Sequence, residues 1–366
     1  MNRVAAFIVR RLVASVITLL LMITLTFVIF WAIPTTPAQF IYPLGQHLSN
    51  YQISHANHLL GLDRPKYVQW WNFVSHIARG DFGKQWSGAQ VVGNTSIKQF
   101  PVGPQLFTAT RITGSIVLGG AVLVLLLALP LGAVGARFRN SIGDRMLSLL
   151  TLLAICTHPM VLGLILRTVF GDQLKWLPDG GYCTFVSHPV STAGIGFNGT
   201  VPCGGGPWPW AQHLILPWVS FALLFLALYT RMSRASVLEV MHEDFVRTAR
   251  AKGATEKRVI GIHVLPNAGL RLLTMIGMEI GTAIGVAVYI EAAFGMFGLG
   301  RLAVNTFAGS SALDLPLVLA VVTMITLVVI VGNLVVDLVY VLLDPRVGGS
   351  TMRARRAERA EPVVVG

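Results

Sequence analysis

Ionisable side chains inside long apolar stretches are the first candidates for chemistry in this sequence, and three stand out: Glu279, His158 and Asp337. A membrane-embedded enzyme would need several catalytic groups that converge at one depth. Glu279 lies in the middle of one apolar stretch, whereas Asp337 lies near the end of another. The two carboxylates are therefore not expected to meet, and His158 has no nearby partners with which to hold a metal ion. The sequence predicts no catalytic residue and no metal site, and an enzyme is the weaker alternative.

Glu279 has two other interpretations. A carboxylate in mid-membrane costs about 2.5–3.5 kcal/mol on insertion scales, so it is expected to face protein or water rather than lipid. It either lines a transport path or is simply protonated or hydrogen-bonded to a neighbouring helix. Glycines at 277, 281 and 285 give the same helix a face that permits close packing.

Two further polar pairs have structural interpretations. His158-Pro159 indicates a helix kink, at which His158 would bond a carbonyl group freed by the proline. Asn333 and Asp337 are four residues apart, so they share one face of a helix. They are expected to be structural rather than substrate-binding.

A nucleotide-binding P-loop requires the pattern G-x4-G-K-[ST], in which backbone N–H groups and one lysine hold the phosphates. The single Gly-Lys dipeptide of the chain is Gly83-Lys84, and Gln85 follows it. The chain therefore cannot bind and hydrolyse ATP by that route. We expect no cofactor in this chain, and any ATP-driven work must be done by a partner.

The composition places these residues in a membrane protein. The chain has 366 residues, of which 54% are hydrophobic and 12% charged, and its mean hydropathy is +0.67. A soluble domain carries about 25% charged residues. The deficit excludes a disordered chain, a nucleic-acid-binding domain and an ordinary cytosolic enzyme. The net charge is +12, and the basic residues lie at the edges of the apolar runs, where they indicate membrane topology.

A membrane-spanning helix needs about 20 predominantly apolar residues. Six stretches satisfy this condition or approach it, and their even number places both termini on the same side of the membrane. These stretches are 12–33, 112–136, 146–166, 213–230, 272–290 and 315–336.

The basic residues indicate which side of the membrane that is. Of the 28 Lys and Arg residues, 19 lie in one set of connections and 9 in the longer, alternate set. By the positive-inside rule, both termini are cytoplasmic. A cleaved signal peptide is disfavoured, because the first apolar run exceeds the usual 7–15 residues or so. The basic set comprises 1–11, 137–145, 231–271 and 341–366; the other comprises 34–111, 167–212 and 293–314.

The three cysteines divide into a pair and a single residue. Cys183 and Cys203 both lie in the extracytoplasmic connection 167–212, where a disulfide can persist. A bridge between them is favoured over two free thiols. Cys156 lies within an apolar stretch and is expected to be a small apolar residue.

The cytoplasmic connection 231–271 is the densest polar stretch of the chain. Apolar residues at helical spacing from Val237 to Ala249 predict a helix, Gly253 predicts a turn, and a second helix is expected to end near Leu265-Pro266. The result is a helical hairpin with basic residues near its tip. It is either a solvated loop or a docking surface for a cytoplasmic partner.

The spacing around Gly253 resembles the EAA loop of ABC importer permeases, E-A-A-x3-G-x9-I-x-L-P. The local form, EDFVRTARAKG followed by HVLPNA, is similar to that of dipeptide and oligopeptide permeases. Three positions depart from the pattern: Arg247 and Thr248 replace Glu and the first Ala, and His263 replaces Ile.

Four other segments carry the same resemblance in the same order along the chain. It extends from residue 7 to residue 346 and is missing mainly in 179–210. The segments are FIVRRLVASVITLL, GLDRPKYVQWWNFVSHIARGDFG, IEAAFGMFGLGRL and NLVVDLVYVLLDPR. The chain thus resembles the B-type permease of peptide-importing ABC transporters.

The resemblance implies an all-α polytopic membrane protein with six transmembrane helices and the type I ABC importer transmembrane-domain (MetI-like) fold. It implies a transport subunit of the bacterial plasma membrane rather than an enzyme. The expected partners are a second homologous permease, one or two ABC ATPase subunits that hold ATP and Mg, and an extracytoplasmic substrate-binding lipoprotein. The expected cargo is short peptides; nickel and haem are alternatives. No nucleic-acid partner is expected.

The resemblance also implies a domain organisation and a coupling site. The expected parts are the first span and its cytoplasmic end (1–33), an extracytoplasmic subdomain (34–111), the core permease domain (112–346, with the insertion 171–212) and a basic tail (347–366). In this family the EAA-loop helix binds a groove on an ATPase. The residues carried over to that contact are Glu243, Arg247, Thr248, Ala249, Arg250, Lys252, Gly253, Leu265 and Pro266.

The extracytoplasmic segment 34–111 contains one amphipathic pattern. Asp63 and Pro65 predict a helix start, and the helix should end at Arg79-Gly80-Asp81. Its apolar stripe is expected to lie at the membrane interface; the alternative is a surface that receives a binding protein. The stripe consists of Tyr67, Trp70, Trp71, Val74, Ile77 and Ala78.

Overall fold

The computed structural model describes residues 3–32, 49–60, 62–86, 90–92, 96–137, 157–184, 203, 206–308 and 314–343, with isolated helical positions from 142 to 156. The predicted tail 347–366 and much of the insertion lie outside the described residues. The elements are α1 (Arg3–Ala32), α2 (Asn50–Leu59), α3 (Lys66–Ala78), β1 (Gln90–Val92), β2 (Ser96–Lys98), α4 (Gly103–Arg137), α5 (Pro159–Leu166), α6 (Pro207–Met241), α7 (Asp244–Ala251), α8 (Glu256–Arg258), α9 (Leu265–Met278), α10 (Ile280–Ala293), α11 (Leu299–Ala308) and α12 (Leu315–Leu343).

Four helices are long and apolar enough to cross a membrane by length and composition, within the part of the chain that the structure describes. They are α1, α4, α6 and α12, which correspond to the first, second, fourth and sixth predicted stretches. Both α4 and α6 have 35 residues and so measure about 52 Å, well beyond the hydrocarbon thickness of about 30 Å. Each therefore extends into the aqueous phase, and α6 leads directly into the polar hairpin.

The third predicted stretch, 146–166, lies partly outside the described residues. Its described end is α5, which begins after His158 rather than continuing through a kink. The His158 Nδ1 accepts a hydrogen bond from the Met160 N–H at 3.3 Å, and Pro159 occupies the first helical position. The expectation that His158 bonds a freed carbonyl group is wrong, because an imidazole before a helix start meets free N–H donors instead.

The fifth predicted stretch, 272–290, consists of two helices rather than one. Helix α9 ends at Met278 and α10 begins at Ile280, with Glu279 between them at φ −94° and ψ 4°. The hydrophobic pattern is continuous across this point, so it could not reveal that the backbone leaves the helical register there.

Helices α4 and α6 form the centre of the molecule. Gly119 and Gly120 of α4 leave room for the Trp218 and Phe221 rings of α6, with which any Cβ atom would collide. The Trp218 indole also donates a hydrogen bond to the Ser115 carbonyl at 2.8 Å. Small residues on α4 thus permit a close approach of the two helices.

The remaining long helices, α12 and α1, join this pair through α12, which contacts α4. Helix α1 lies against α12, and the Arg11 Nε lies 2.5 Å from the Asp337 carboxylate. Asp337 therefore joins the last helix to the first. Strands β1 and β2 form a short antiparallel ribbon, a local departure from the all-α expectation in the described residues.

Candidate functional site

The hairpin comprises residues 242–264, between the end of α6 and the start of α9. Its first limb is α7, and its second limb is α8 with the residues Val259–Val264. Helix α6 ends at Met241 and is capped by His242, Glu243 is extended at φ −68° and ψ 148°, and α7 begins at Asp244. The sequence pattern predicts one helix through this point, and the structure has two. The break occurs where an acidic residue can lie in a first turn, next to the free N–H groups of a new helix.

A tight turn reverses the chain after α7. Gly253 has φ +79°, and its N–H donates to the Arg250 carbonyl at 2.9 Å while the Ala254 N–H donates to the Ala249 carbonyl at 3.2 Å. These bonds satisfy the last carbonyl groups of α7. The position favours glycine because of its left-handed φ, since a Cβ atom there would meet nothing within 4 Å.

The second limb of the hairpin continues directly into a membrane helix. Residues Val259–Val264 form wide turns, in which the Leu265 N–H donates to the Ile260 carbonyl. The prediction that this helix ends near Leu265-Pro266 is wrong, because α9 runs on to Met278. Pro266 is tolerated because it lacks an N–H group at the point where five-residue turns give way to four-residue turns.

Three buried valines hold the hairpin to the membrane helices. Val246 of α7 and Val259 and Val264 of the second limb are completely buried. They pack in one cluster with Ala133 and Ala136 at the end of α4 and with residues of the last turns of α6. An ion pair at 2.8 Å between Arg250 and Glu256 also joins the two limbs. The hairpin is thus fixed to the ends of α4, α6 and α9.

The residues carried over to the coupling contact fall into two groups. Ala249 and Leu265 are half-buried against the valine cluster. The others are exposed: Glu243, Arg247, Thr248, Arg250, Lys252, Gly253 and Pro266. The structure adds Phe245, whose ring is exposed on α7 next to Thr248 and Lys252 on one helix face. Sequence reasoning missed Phe245, because an aromatic residue in this pattern is equally compatible with burial.

Glu279 lies apart from the hairpin, at the junction of α9 and α10, and is half-exposed. Two and six residues after Glu279, Gly281 and Gly285 of α10 have open space beside them. Together with α11 and α12, they line an open pocket of about 510 Å³ whose other walls include Val304 and Phe307. The predicted close-packing face of α10 is therefore not filled by the described residues. In the described part of the chain, no three His, Cys, Asp or Glu side chains are grouped to hold a metal ion.

Comparison with known proteins bears directly on this arrangement. Residues 128–349 match the family described as the binding-protein-dependent transport system inner membrane component, and residues 4–108 match the N-terminal region of such membrane components. The chain belongs to this family. It is a multi-pass inner membrane permease, a transport subunit rather than an enzyme, and the predicted ABC importer membership is confirmed.

Three relatives of the permease cover almost its whole length. The probable D,D-dipeptide transport system permease protein DdpB of Escherichia coli is 32% identical over 328 residues, 88% of this chain and 92% of the relative. The oligopeptide transport system permease protein AppB of Bacillus subtilis is 32% identical over 94% of this chain and 99% of its own. The glutathione transport system permease protein GsiC of Salmonella typhimurium is 29% identical over 93% and 98%, respectively.

A buried carboxylate organises the opposite end of the permease. Glu291 is fully buried at the end of α10, and it accepts hydrogen bonds from the Thr113 hydroxyl at 2.5 Å and from the Arg301 N–H at 2.8 Å. The Thr113 oxygen in turn accepts the Leu299 N–H at 2.8 Å. This network fixes the start of α11 against α4. The sequence showed Glu291 within the segment 290–302, but no pattern distinguished it from an exposed carboxylate.

The stem of the insertion is attached to the same end of α10. The sulfur atoms of Cys183 and Cys203 are bonded, with their Cα atoms 5.8 Å apart. The Gly181 N–H donates to the Phe294 carbonyl at 2.9 Å, and the Arg167 guanidinium donates to the Ala293 carbonyl at 2.9 Å. These contacts provide partners for the last carbonyl groups of α10. The stem is thereby fixed to the end of α10.

Proposed function

We propose that this permease is one of two membrane subunits of an importer for short peptides, which an extracytoplasmic binding protein delivers. The family supports a binding-protein-dependent importer, and the names of the relatives, dipeptide, oligopeptide and glutathione permeases, support a peptide cargo. We expect that deletion of the gene abolishes uptake of a radiolabelled dipeptide and that the intact chain restores it. Uptake of nickel or haem instead of the dipeptide would overturn the proposal that the cargo is a peptide.

The observation that carries the mechanism is the attachment of an exposed helix to buried parts of the bundle. Helix α7 presents Phe245 and Thr248 outward, with Lys252 exposed directly after its last residue, while Val246 anchors the same helix in the cluster with α4 and α6. A partner that binds the exposed face and moves would therefore move the ends of both membrane helices. We infer that this partner is an ATPase subunit, which binds the nucleotide and Mg.

In this mechanism, ATP binding closes two ATPase subunits and displaces the α7 hairpins that they hold. The second limb of each hairpin runs without interruption into α9, so the displacement also reaches the junction at Glu279. The path between two permeases then opens outward, and hydrolysis resets it. Glu279 would face this path and attract the positively charged end of a peptide.

The coupling contact is tested by co-purification of the ATPase with tagged permease from native membranes. Phe245→Ala combined with Lys252→Ala is expected to release the ATPase, since both side chains lie on the exposed face of α7. Lys257→Ala is the matched control, because Lys257 is exposed on the second limb. Retention of the ATPase by the double variant at the wild-type level would overturn the assignment of this face.

The second permease is expected to pack against the open face of α10. Support comes from Gly281 and Gly285, which border a pocket that the described residues leave unfilled. Gly285→Val should reduce co-purification of the second permease. Gly114→Val on α4 is the control, since a Cβ atom on Gly114 would also meet nothing within 4 Å, and Gly114 lies outside the pocket. Equal recovery from both variants would place the subunit contact elsewhere.

A further inference from the structure

Helix α3 has an exposed aromatic face on the side of the membrane opposite the hairpin. Tyr67 and Trp71 are 74% and 62% exposed and lie one turn apart on this face. We propose that this face is a lipid-binding surface, which lies in the headgroup and upper acyl region of the membrane leaflet beside α1. The partner is the lipid surface itself, and the role is to fix the height of the extracytoplasmic subdomain above the bilayer.

A hydrogen bond sets the depth of α3. The Trp70 indole N–H donates to the Thr24 hydroxyl oxygen of α1 at 3.2 Å. Thr24 lies inside the apolar window Ile8–Ile29, five residues before its end. At 1.5 Å per residue, this places Thr24 about 8 Å below the end of the window. Because an indole ring reaches only a few ångströms, α3 lies at the membrane boundary rather than in bulk water.

Lipid is the neighbour that this position provides. Only 17% of the apolar window of α1 is buried inside the protein, so the described residues leave most of its surface uncovered at membrane depth, where acyl chains can reach it. The aromatic face of α3 continues from this lipid-facing surface. Tyr and Trp are enriched at the boundary because their rings are apolar and their polar atoms can reach water or headgroups.

The two faces of α3 differ as an interfacial helix requires. His76 is exposed on the side opposite Tyr67, since nine residues turn a helix by about half a revolution. Arg64 and Lys66 are exposed at the beginning of the helix, where they can meet anionic headgroups. The Gln69 side chain donates to the Leu62 carbonyl at 3.0 Å and so holds the helix to the preceding turn. A polar face, an aromatic face and a fixed orientation are thus combined.

Exposed aromatic residues elsewhere mark the same membrane boundary. Trp208 lies in the first turn of α6 and is 67% exposed, and Phe107 lies near the start of α4 and is 51% exposed. Both helices begin on the side of the membrane that carries α3. Aromatic belts of this kind form where membrane helices leave the hydrocarbon. The α3 face extends this belt outward from α1.

Cysteine labelling in lipid nanodiscs tests the proposal. Tyr67→Cys and Trp71→Cys, each combined with Cys156→Ala, are compared with His76→Cys as the matched control on the polar face. An impermeant maleimide should react with the two aromatic-face variants at least tenfold more slowly than with the control, and equally with all three after denaturation in detergent. Equal rates in nanodiscs would overturn the proposal. Slow labelling that requires added binding protein would also overturn it, because that protein would then cover the face.

Fluorescence provides a second measurement that needs no cysteine. Brominated lipids quench tryptophans that they contact, so Trp71→Phe should remove a quenchable part of the emission. Trp86→Phe should leave the quenchable part unchanged, because Trp86 is buried. An unchanged quenchable part in Trp71→Phe would overturn the proposal. Neither measurement reads transport, so failure here leaves the proposed import function standing.

Discussion

At the scale of single residues, Glu291 determines more of the structure than any residue that the sequence marked for chemistry. Its carboxylate is fully buried and accepts from the buried Thr113 hydroxyl and from the N–H of the half-buried Arg301. Leaving such a buried donor unsatisfied costs about 1–3 kcal/mol. A small number of hydrogen bonds thus holds α4, the end of α10 and the start of α11 in one arrangement.

Glu291→Ala should therefore lower the midpoint of thermal unfolding in detergent by several degrees and reduce uptake. Glu291→Gln should have the smaller effect, because its amide oxygen can still accept a backbone N–H while the amide nitrogen donates to Thr113. A fluorescence thermal-shift assay on the two purified variants measures the difference. Equal midpoints for Glu291→Ala and the wild-type chain would show that the network contributes no stability.

The sequence predicted the roles of residues that depend on their own chemistry, but it did not predict roles that depend on the surrounding helices. Cys183 and Cys203 could be predicted to form a disulfide, because both lie in one extracytoplasmic connection. Gly253 could be placed in a turn, because its backbone conformation is rare for other residues. Glu291 and Phe245 could not be assigned, since burial of a carboxylate and exposure of a ring depend on helices distant in the chain. His158 received the wrong hydrogen-bond role for the same reason.

At the scale of elements, hydrophobic length predicted where helices lie but not where they break. The stretches 12–33 and 315–336 fall within α1 and α12, apart from the final residue of the first. The interruption at Glu279 and the wide turns at Val259–Val264 were not predicted, because hydropathy records transfer into lipid and contains no information about backbone hydrogen bonds. Pro266 was mistaken for a helix end, although a wide turn accommodates it.

The hairpin should transmit motion to the membrane helices only while the buried Val246 holds α7 firmly to them. Val246→Ala removes about two methylene equivalents from a fully buried site, at a cost of about 1.5–2 kcal/mol. The exposed face of α7 remains, so the ATPase should still co-purify. Uptake per ATP hydrolysed should fall by severalfold, measured in proteoliposomes with binding protein and peptide.

Phe245→Ala is the comparison for this prediction. It alters the exposed face and leaves the anchor intact, so it should weaken ATPase binding without changing uptake per ATP hydrolysed. If Val246→Ala transported normally for each ATP consumed, the valine cluster would not transmit the motion of α7 to α4 and α6.

At the scale of the whole molecule, the three cysteines report on the arrangement of the chain in the membrane. An impermeant maleimide should label none of them in intact cells, because Cys183 and Cys203 are bonded and Cys156 lies within the predicted membrane stretch 146–166. Reduction should expose two thiols to the reagent. Quantitative mass spectrometry of the labelled peptides distinguishes the sites, and labelling of Cys183 before reduction would show that the bridge is absent in cells.

The orientation of the whole chain decides whether an ATPase can reach the hairpin at all. The positive-inside rule places Lys257 in the cytoplasm and Lys84 outside, since the two lie in connections of opposite sets. In a Cys156→Ala background, Lys84→Cys should react with an impermeant maleimide in spheroplasts, and Lys257→Cys should react only in inverted vesicles. Both positions are exposed, so unequal burial would not explain the contrast. Labelling of Lys257→Cys from outside would show that the permease has the opposite orientation. An ATPase confined to the cytoplasm could then not bind α7.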